Sequence, residues 1–192
     1  MSYRLGRVCC WVLVLSAAAL GRALSPDQHR ADACSLLTSS EIKAVQGEGV
    51  KETKPTRQPG SGIVVSQCVL VTPTPAKSVS VMLTAPDPSN PSSTAARDWW
   101  RKQFASANTP EEKKPKSGKA QKSEEEGEHE GRRPQSIKGL GEQAFWMGTR
   151  VGGALYVLRG NSFARISVGG EKSESVRIQK SKTLARALLK RM

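Results

Sequence analysis

The chain has few of the residues that enzymes most often use as acids and bases. It contains two histidines, His29 in a polar stretch and His129 inside a run of glutamates. Neither lies in a packed element that would hold the imidazole within hydrogen-bond reach of a nucleophile. We therefore expect no Ser-His-Asp or Cys-His arrangement, and we expect that the protein is not an enzyme. A polar cleft lined by carboxylates with raised pKa would be the evidence that favours an enzyme.

The chain also lacks an apolar run long enough to cross a membrane. Its longest, from Val8 to Leu20, rises only about 20 Å as a helix, whereas the hydrocarbon core of a bilayer is about 30 Å thick. Two arginines precede this run, and the small residues Gly21 and Ala23 follow it. This order is typical of a secretory signal peptide, so we predict one at residues 1–23 and a secreted or periplasmic protein. A leader that is retained as an anchor is the alternative.

Cysteine is scarce as well. Two of the four cysteines, Cys9 and Cys10, lie at the start of the apolar run, where a cut for lipid attachment would leave no usable signal. The other two, Cys34 and Cys68, do not offer the four ligands of a closed zinc site, so we expect no metal and no cofactor. Because an exported protein meets an oxidising environment, we predict that Cys34 and Cys68 form one disulfide.

Positive charge is in excess, with a formal net charge of +13 at pH 7. A cationic exported domain is attracted to anionic lipid head groups and cell-wall polymers, although the charge also has a simpler use in keeping the domain soluble. Export would take the protein away from nucleic acid. We predict that the densest cationic stretch contacts an anionic envelope component or a protein partner. Its members are Arg177, Lys180, Lys182, Arg186, Lys190 and Arg191.

Residues 110–135 differ in composition from the rest of the chain. Seven lysines and arginines balance seven glutamates, prolines lie near both ends, and no aromatic or β-branched residue is present. Such a segment cannot bury enough apolar surface to fold, so we predict a disordered charged insertion. It divides one domain into a first half at residues 34–109 and a second half at residues 136–192, after a flexible tail at residues 24–33.

The first half shows the pattern helix, two strands, helix. Thr38 and Glu41 form a capping box that begins the first helix, and Gly47 is placed to end it in a left-handed conformation. Residues 51–62 contain two prolines and few apolar residues, which predicts a loop. Residues 63–72 and 78–84 alternate between apolar and polar positions, which predicts two antiparallel strands.

The few aromatic residues have two interpretations. Trp100 and Phe104 are four residues apart and share one face of a second predicted helix, and Trp146 lies in an apolar strand. Core packing is therefore the expected role of these rings. Trp99 lies beside the buried face, and a cleft near it would favour a carrier of a small apolar ligand instead.

The second half predicts a strand, a hairpin and a helix. Gly160-Asn161 is a two-residue hairpin signal between residues 154–159 and 162–168, and residues 171–190 form an amphipathic helix. Hairpins with helices grouped on one side predict an α+β fold. We expect an antiparallel sheet of about five strands, with helices packed on one face and one disulfide.

Two passages of the sequence carry a resemblance. One is Ala33-Cys34-Ser35-Leu36-Leu37-Thr38 with Glu41 and Cys68 downstream; the other is Gly139-Leu140-Gly141-Glu142-Gln143-Ala144-Phe145-Trp146. Together they resemble a family of uncharacterised small exported bacterial proteins, many of them lipoproteins. The resemblance covers most of residues 33–190 outside the insertion. It implies a cell-envelope protein with a helix-to-strand disulfide and no known enzymatic activity, and it offers no active-site residues to transfer. This chain departs from the family because no lipid-attachment cysteine ends its leader.

The expected function follows from the leader, the charge and the missing catalytic groups. We expect an exported, monomeric, non-enzymatic cell-envelope protein that binds an anionic component or a protein partner through a basic surface. We expect no nucleic-acid partner and no transmembrane span after cleavage. The alternative is a periplasmic or secreted carrier of a small apolar ligand.

Overall fold

The structure, a computed structural model, describes residues 32–107, 133–149 and 151–192. The predicted signal peptide, most of the predicted tail and most of the charged insertion lie outside these residues. In the described part, seven strands form one antiparallel sheet and three α-helices pack on it. The α+β class is confirmed, whereas the expected number of about five strands is wrong.

The sheet has the order β1-β2-β3-β7-β6-β5-β4. Its central pair, β3 and β7, therefore joins two antiparallel meanders, one from each half of the chain. The strands are β1 (Glu52–Pro59), β2 (Ile63–Val71), β3 (Val79–Pro86), β4 (Gln135–Ser136), β5 (Gln143–Gly148), β6 (Gly153–Arg159) and β7 (Ser162–Val168). The helices are α1 (Ser39–Gln46), α2 (Ala95–Gln103) and α3 (Glu174–Leu189). The hairpin register pairs Val157 with Ala164 and Leu155 with Ile166, as the alternation predicts.

Strand β1 replaces the loop predicted for residues 51–62. The amide of Gly60 donates to the carbonyl of Ile63 at 2.8 Å, so every second residue before Gly60 turns its backbone hydrogen-bonding groups towards β2. Pro55 and Pro59 hold the alternate positions, where an N–H would point away from the sheet. Their missing donors cost no ladder bond, and they also deter another strand from pairing along this edge.

Helices cover both faces of the sheet, so the expected grouping on one face is wrong. Helices α1 and α3 pack on the face that holds Ile166 and Val81, while α2 packs Trp100 and Phe104 on the opposite face. The alternation of side chains along a strand divides the two cores. Ala164 belongs to the first core, and its neighbour in the chain, Phe163, belongs to the second.

The predicted disulfide is confirmed. Cys34 and Cys68 are bonded with their Cα atoms 5.1 Å apart, and Cys34 lies in a short 3₁₀ helix, Ala33–Ser35, that precedes α1. Beside the bridge, the buried amide of Ala33 donates to the hydroxyl of Ser66 at 2.9 Å. The bridge and this bond together fix the start of the described chain to strand β2.

The ends of α1 are as the sequence predicts. Thr38 and Glu41 form a reciprocal capping box, and Gly47 has the left-handed φ of 78°. Just beyond this end, Glu48 accepts hydrogen bonds from the Lys77 ammonium at 2.8 Å and from Thr74 at 2.9 Å. The bond from Lys77, followed by those from Thr74, lowers the pKa of Glu48 to about 2. This cluster joins the end of α1 to the β2–β3 connection.

None of the helices within residues 32–107, 133–149 and 151–192 is both long enough and apolar enough to span a bilayer.

Candidate functional site

Helix α3 carries four of the six cations of the predicted contact surface, and Lys190 and Arg191 follow its last residue; the six point in different directions. The helix packs its buried side chains Leu184, Ala185 and Leu188 against the sheet. Arg177 lies on that same side and is only 6% exposed. Its Nη1 donates to the carbonyl oxygens of Glu171 at 2.7 Å and Lys172 at 3.1 Å. Arg177 is therefore a structural residue, and its burial removes it from the predicted contact surface.

Two further cations of this set, Lys180 on α3 and Arg191 just beyond it, are engaged with α1. The Lys180 ammonium contacts the Glu171 carboxylate and donates to Oε1 of Gln46 at 3.0 Å. Arg191 donates to both carboxylate oxygens of Glu41 at 3.0 Å. Burial raises the pKa of Glu41, but the hydrogen bonds from Arg191 and from Thr38 outweigh it, so the net shift is downward. The charges of Lys180 and Arg191 are therefore balanced inside the fold.

The remaining three cations form one row along the helix. Lys182, Arg186 and Lys190 follow each other at intervals of four, which places their Cβ atoms about 6 Å apart on one side of a helix. This side faces away from α1, because Lys180 and Arg191 mark the flank that meets α1. Arg186 and Lys190 are exposed and Lys182 is half-buried, and none of them pairs with a carboxylate of a described residue. We call Lys182, Arg186 and Lys190 the basic row.

The second half of the chain carries most of the positive charge. Residues 133–192 hold twelve lysines and arginines but three glutamates, a net charge of +9, whereas residues 32–107 have a net charge of +2. Each of the three glutamates already has an internal partner. Glu142 accepts from the amide of Gly160 and from Arg97, which lowers its pKa, Glu171 contacts Lys180, and Glu174 accepts from Trp146 Nε1 at 2.9 Å. No carboxylate of this half is thus left to neutralise the basic row.

The rings of Trp100 and Trp146 fill the two cores, as predicted. Each is 1% exposed, and the indole N–H of Trp100 donates to Gln143 Oε1 at 2.8 Å. Trp99 is 41% exposed and stacks flat on Phe163, with ring centroids 4.7 Å apart. Two surface depressions, of about 320 and 380 Å³, lie beside Cys34 and at residues 136–145, and neither is lined by Trp99.

Sequence reasoning missed a second surface, on the face that carries α2. The helix covers one end of this face, where Met82, Met147 and Tyr156 pack against its cluster and stay half-buried; Arg165 and Val69 on the same face are also half-buried. We call the part that carries these five side chains the open sheet face. A signal for it exists in the sequence, since Arg165 lies between the inward residues Ala164 and Ile166. A charged residue at the outward position of a central strand indicates a face that is not fully covered.

No family model, curated protein or solved structure matches this chain. Function is therefore inferred from the chemistry of these two surfaces.

Proposed function

We propose that this is an exported, non-enzymatic protein of the cell envelope that binds an anionic component through the basic row. The observation that carries the proposal is a line of three neighbouring cations, Lys182, Arg186 and Lys190, without a counter-charge among the described residues. The signal-peptide pattern and the disulfide support an oxidising compartment outside the cytosol.

The basic row is held by a rigid support. Leu184, Ala185 and Leu188 pack the opposite side of α3 into the core. The hydrogen bond from Lys180 to Gln46 and the ion pair of Arg191 with Glu41 fix α3 and its C-terminal end to α1. An anionic surface would meet three cations already in place, so binding pays little ordering entropy beyond that of the side chains. Each cation close to an anionic bilayer surface contributes about 1 kcal/mol, or about 3 kcal/mol for the row.

The affinity of such a contact depends on salt. The screening length falls from about 10 Å at 0.1 M to about 3 Å at 1 M ionic strength, which weakens contacts between exposed charges. A non-electrostatic contact would keep its affinity under the same change.

Vesicle co-sedimentation tests the proposal. The disulfide-bonded protein is mixed with vesicles of phosphatidylcholine alone or of phosphatidylcholine with phosphatidylglycerol, at low and at high salt. We expect sedimentation with the anionic vesicles at low salt, and release as the salt rises. Equal sedimentation with the neutral vesicles, or none with the anionic vesicles at low salt, contradicts the proposal.

A further inference from the structure

The open sheet face has a cation at its centre and apolar side chains on both sides. Arg165 lies on β7, and the pairing register puts Met82 of β3 and Tyr156 of β6 directly beside it. Val69 on β2 and Met147 on β5 lie in the next row of side chains, two strands from β7 on either side, which places their Cα atoms about 12 Å from that of Arg165. All five side chains are half-buried, so each is still partly accessible to solvent.

The Arg165 guanidinium has unused hydrogen-bonding capacity. It has five N–H donors, and with the described residues it makes one hydrogen bond, from Nε to the Tyr156 hydroxyl at 3.1 Å. The central carbon of the guanidinium, Cζ, also lies 5.9 Å from the centre of the Tyr156 ring. These two contacts hold the side chain in place and leave the terminal nitrogens for another acceptor.

Among the described residues, no carboxylate forms an ion pair with Arg165. Among the strand residues of this face in the described part, the pairing register leaves one acidic residue, Glu52 on the edge strand β1. Three strand spacings separate β1 from β7, which is about 14 Å. The residues nearest the guanidinium in the next row are Ser80 and Ser167, which are paired with each other and carry no charge. A half-buried cation in this setting is complementary to an anionic ligand.

We propose that the open sheet face binds a monocarboxylate amphiphile, a molecule with one carboxylate and an unbranched apolar chain. The planar guanidinium of Arg165 would hold the carboxylate through two parallel hydrogen bonds. The apolar chain would lie on Met82 and on either Val69 or Met147, and flexible methionine side chains adapt to such a chain. A single cation balances a single negative charge, whereas a phosphate monoester would bring a second charge that this face does not neutralise.

This site is independent of the basic row, which lies on α3 on the opposite side of the sheet. It also differs from the cleft near Trp99 that the sequence suggested for an apolar ligand. A carrier function would therefore use β7 and its neighbouring strands, with Arg165 as the residue that selects an acid over a neutral chain.

Methyl NMR of methionine gives a direct test, because the chain has four methionines and two of them lie on this face. Decanoate, decanol and inorganic phosphate are titrated into the disulfide-bonded protein, with decanoate kept below its micelle concentration. We expect saturable shifts of the Met82 and Met147 methyl signals with decanoate. Met192, which packs against the core on the other face, is the internal control and should not shift.

Variants separate the carboxylate contact from general apolar binding. We expect Arg165→Gln to weaken decanoate binding at least about tenfold, to the level of decanol, and Arg165→Lys to give an intermediate affinity, because an ammonium keeps the charge but cannot form the two parallel hydrogen bonds. The basic-row variant K182Q/R186Q/K190Q should bind decanoate as the unaltered protein does. Equal affinity for decanoate and decanol overturns the proposal, as do unchanged binding by R165Q, shifts at Met192 alone, or saturable shifts with phosphate but not decanoate. Concentration-dependent self-association through this face, with no response to decanoate, would identify a second copy as the occupant and also overturn it.

Discussion

Removal of the disulfide should cost a large part of the stability of this domain. The double variant Cys34→Ala/Cys68→Ala opens a loop whose ends are 34 positions apart, and the chain-entropy relation assigns about 3.8 kcal/mol to that closure. The side chain of Cys68 is fully buried, so its truncation adds the loss of one buried group, about 1 kcal/mol. We expect the free energy of unfolding to fall by about 4–5 kcal/mol.

Urea unfolding followed by tryptophan fluorescence measures this loss, because Trp100 and Trp146 are buried in the two cores. A slope of about 1–3 kcal/mol/M translates the loss into a midpoint lower by about 1–5 M urea. The unaltered protein, kept reduced without alkylation, should unfold near the double variant. The control Ser66→Ala removes the adjacent hydrogen bond to Ala33 and keeps the bridge, so it should lose only about 1 kcal/mol. A loss below about 1 kcal/mol in the double variant would refute the argument that the bridge restricts the unfolded chain.

Three further changes test other contacts. The pKa of Glu48 is lowered to about 2 from 4.5, so its ionised form stabilises the fold fully above pH 4.5, and this stabilisation is lost as the pH falls towards 2. In acid unfolding, the free energy of unfolding of Glu48→Gln should therefore fall less between pH 4.5 and 2 than that of the unaltered protein. Arg177→Met should destabilise by about 1–3 kcal/mol, because two carbonyl oxygens lose their donor, whereas Lys182→Gln should stay within about 0.5 kcal/mol in the same urea assay. Gly141→Ala should destabilise by at least about 1 kcal/mol, since φ is +54° and the added Cβ would lie 2.4 Å from a backbone oxygen; a melting temperature equal to that of the parent would contradict this.

Much of the fold could be predicted where a local signal decides the structure. The capping box at Thr38 and Glu41, the left-handed Gly47 and the hairpin at Gly160-Asn161 all depend on residues close together in the chain. The pairing of Cys34 with Cys68 was predictable because only two cysteines follow the predicted leader. In each case the short-range chemistry leaves few alternatives.

The predictions that were wrong concern features that depend on the position of an element within the whole sheet. Pro55 and Pro59 favour a loop by composition, and they are tolerated in β1 because that strand lies at an edge with their nitrogens turned outward. The pattern of α2 shows that Trp100 and Phe104 are buried, but not on which face of the sheet. Phe163 and Leu158 alternate with the residues of the first core along their strands. Large apolar residues at these positions were the available signal for a second core on the other face.

The sequence could predict which helix carries the candidate site, but not which of its cations form the surface. Charge density marks α3, but the roles of its cations are set by distant residues. Arg191 is balanced by Glu41, which lies 150 positions earlier in the chain, and Lys180 contacts Gln46. The basic row is what remains after these partners are assigned. Arg165 was overlooked because a single charge in a strand has no meaning until its neighbouring strands are known.

The proposed export is tested by measuring the intact mass of the protein purified from its native host. We expect a chain that has lost residues 1–23 and that gains two hydrogens on reduction of one disulfide. An uncut chain with free thiols at Cys34 and Cys68 would contradict export.

The central claim is that the position of the cations on α3, and not the total charge, creates the contact with an anionic surface. Two triple variants with the same charge change decide this point: K182Q/R186Q/K190Q, and K51Q/R57Q/K102Q, which removes three exposed cations of the first half. Their affinities for phosphatidylglycerol-containing vesicles are measured side by side at low salt. We expect the first to bind about 100-fold more weakly than the unaltered protein and the second to bind within about threefold of it. Equal weakening of both variants, or of neither, would contradict the claim.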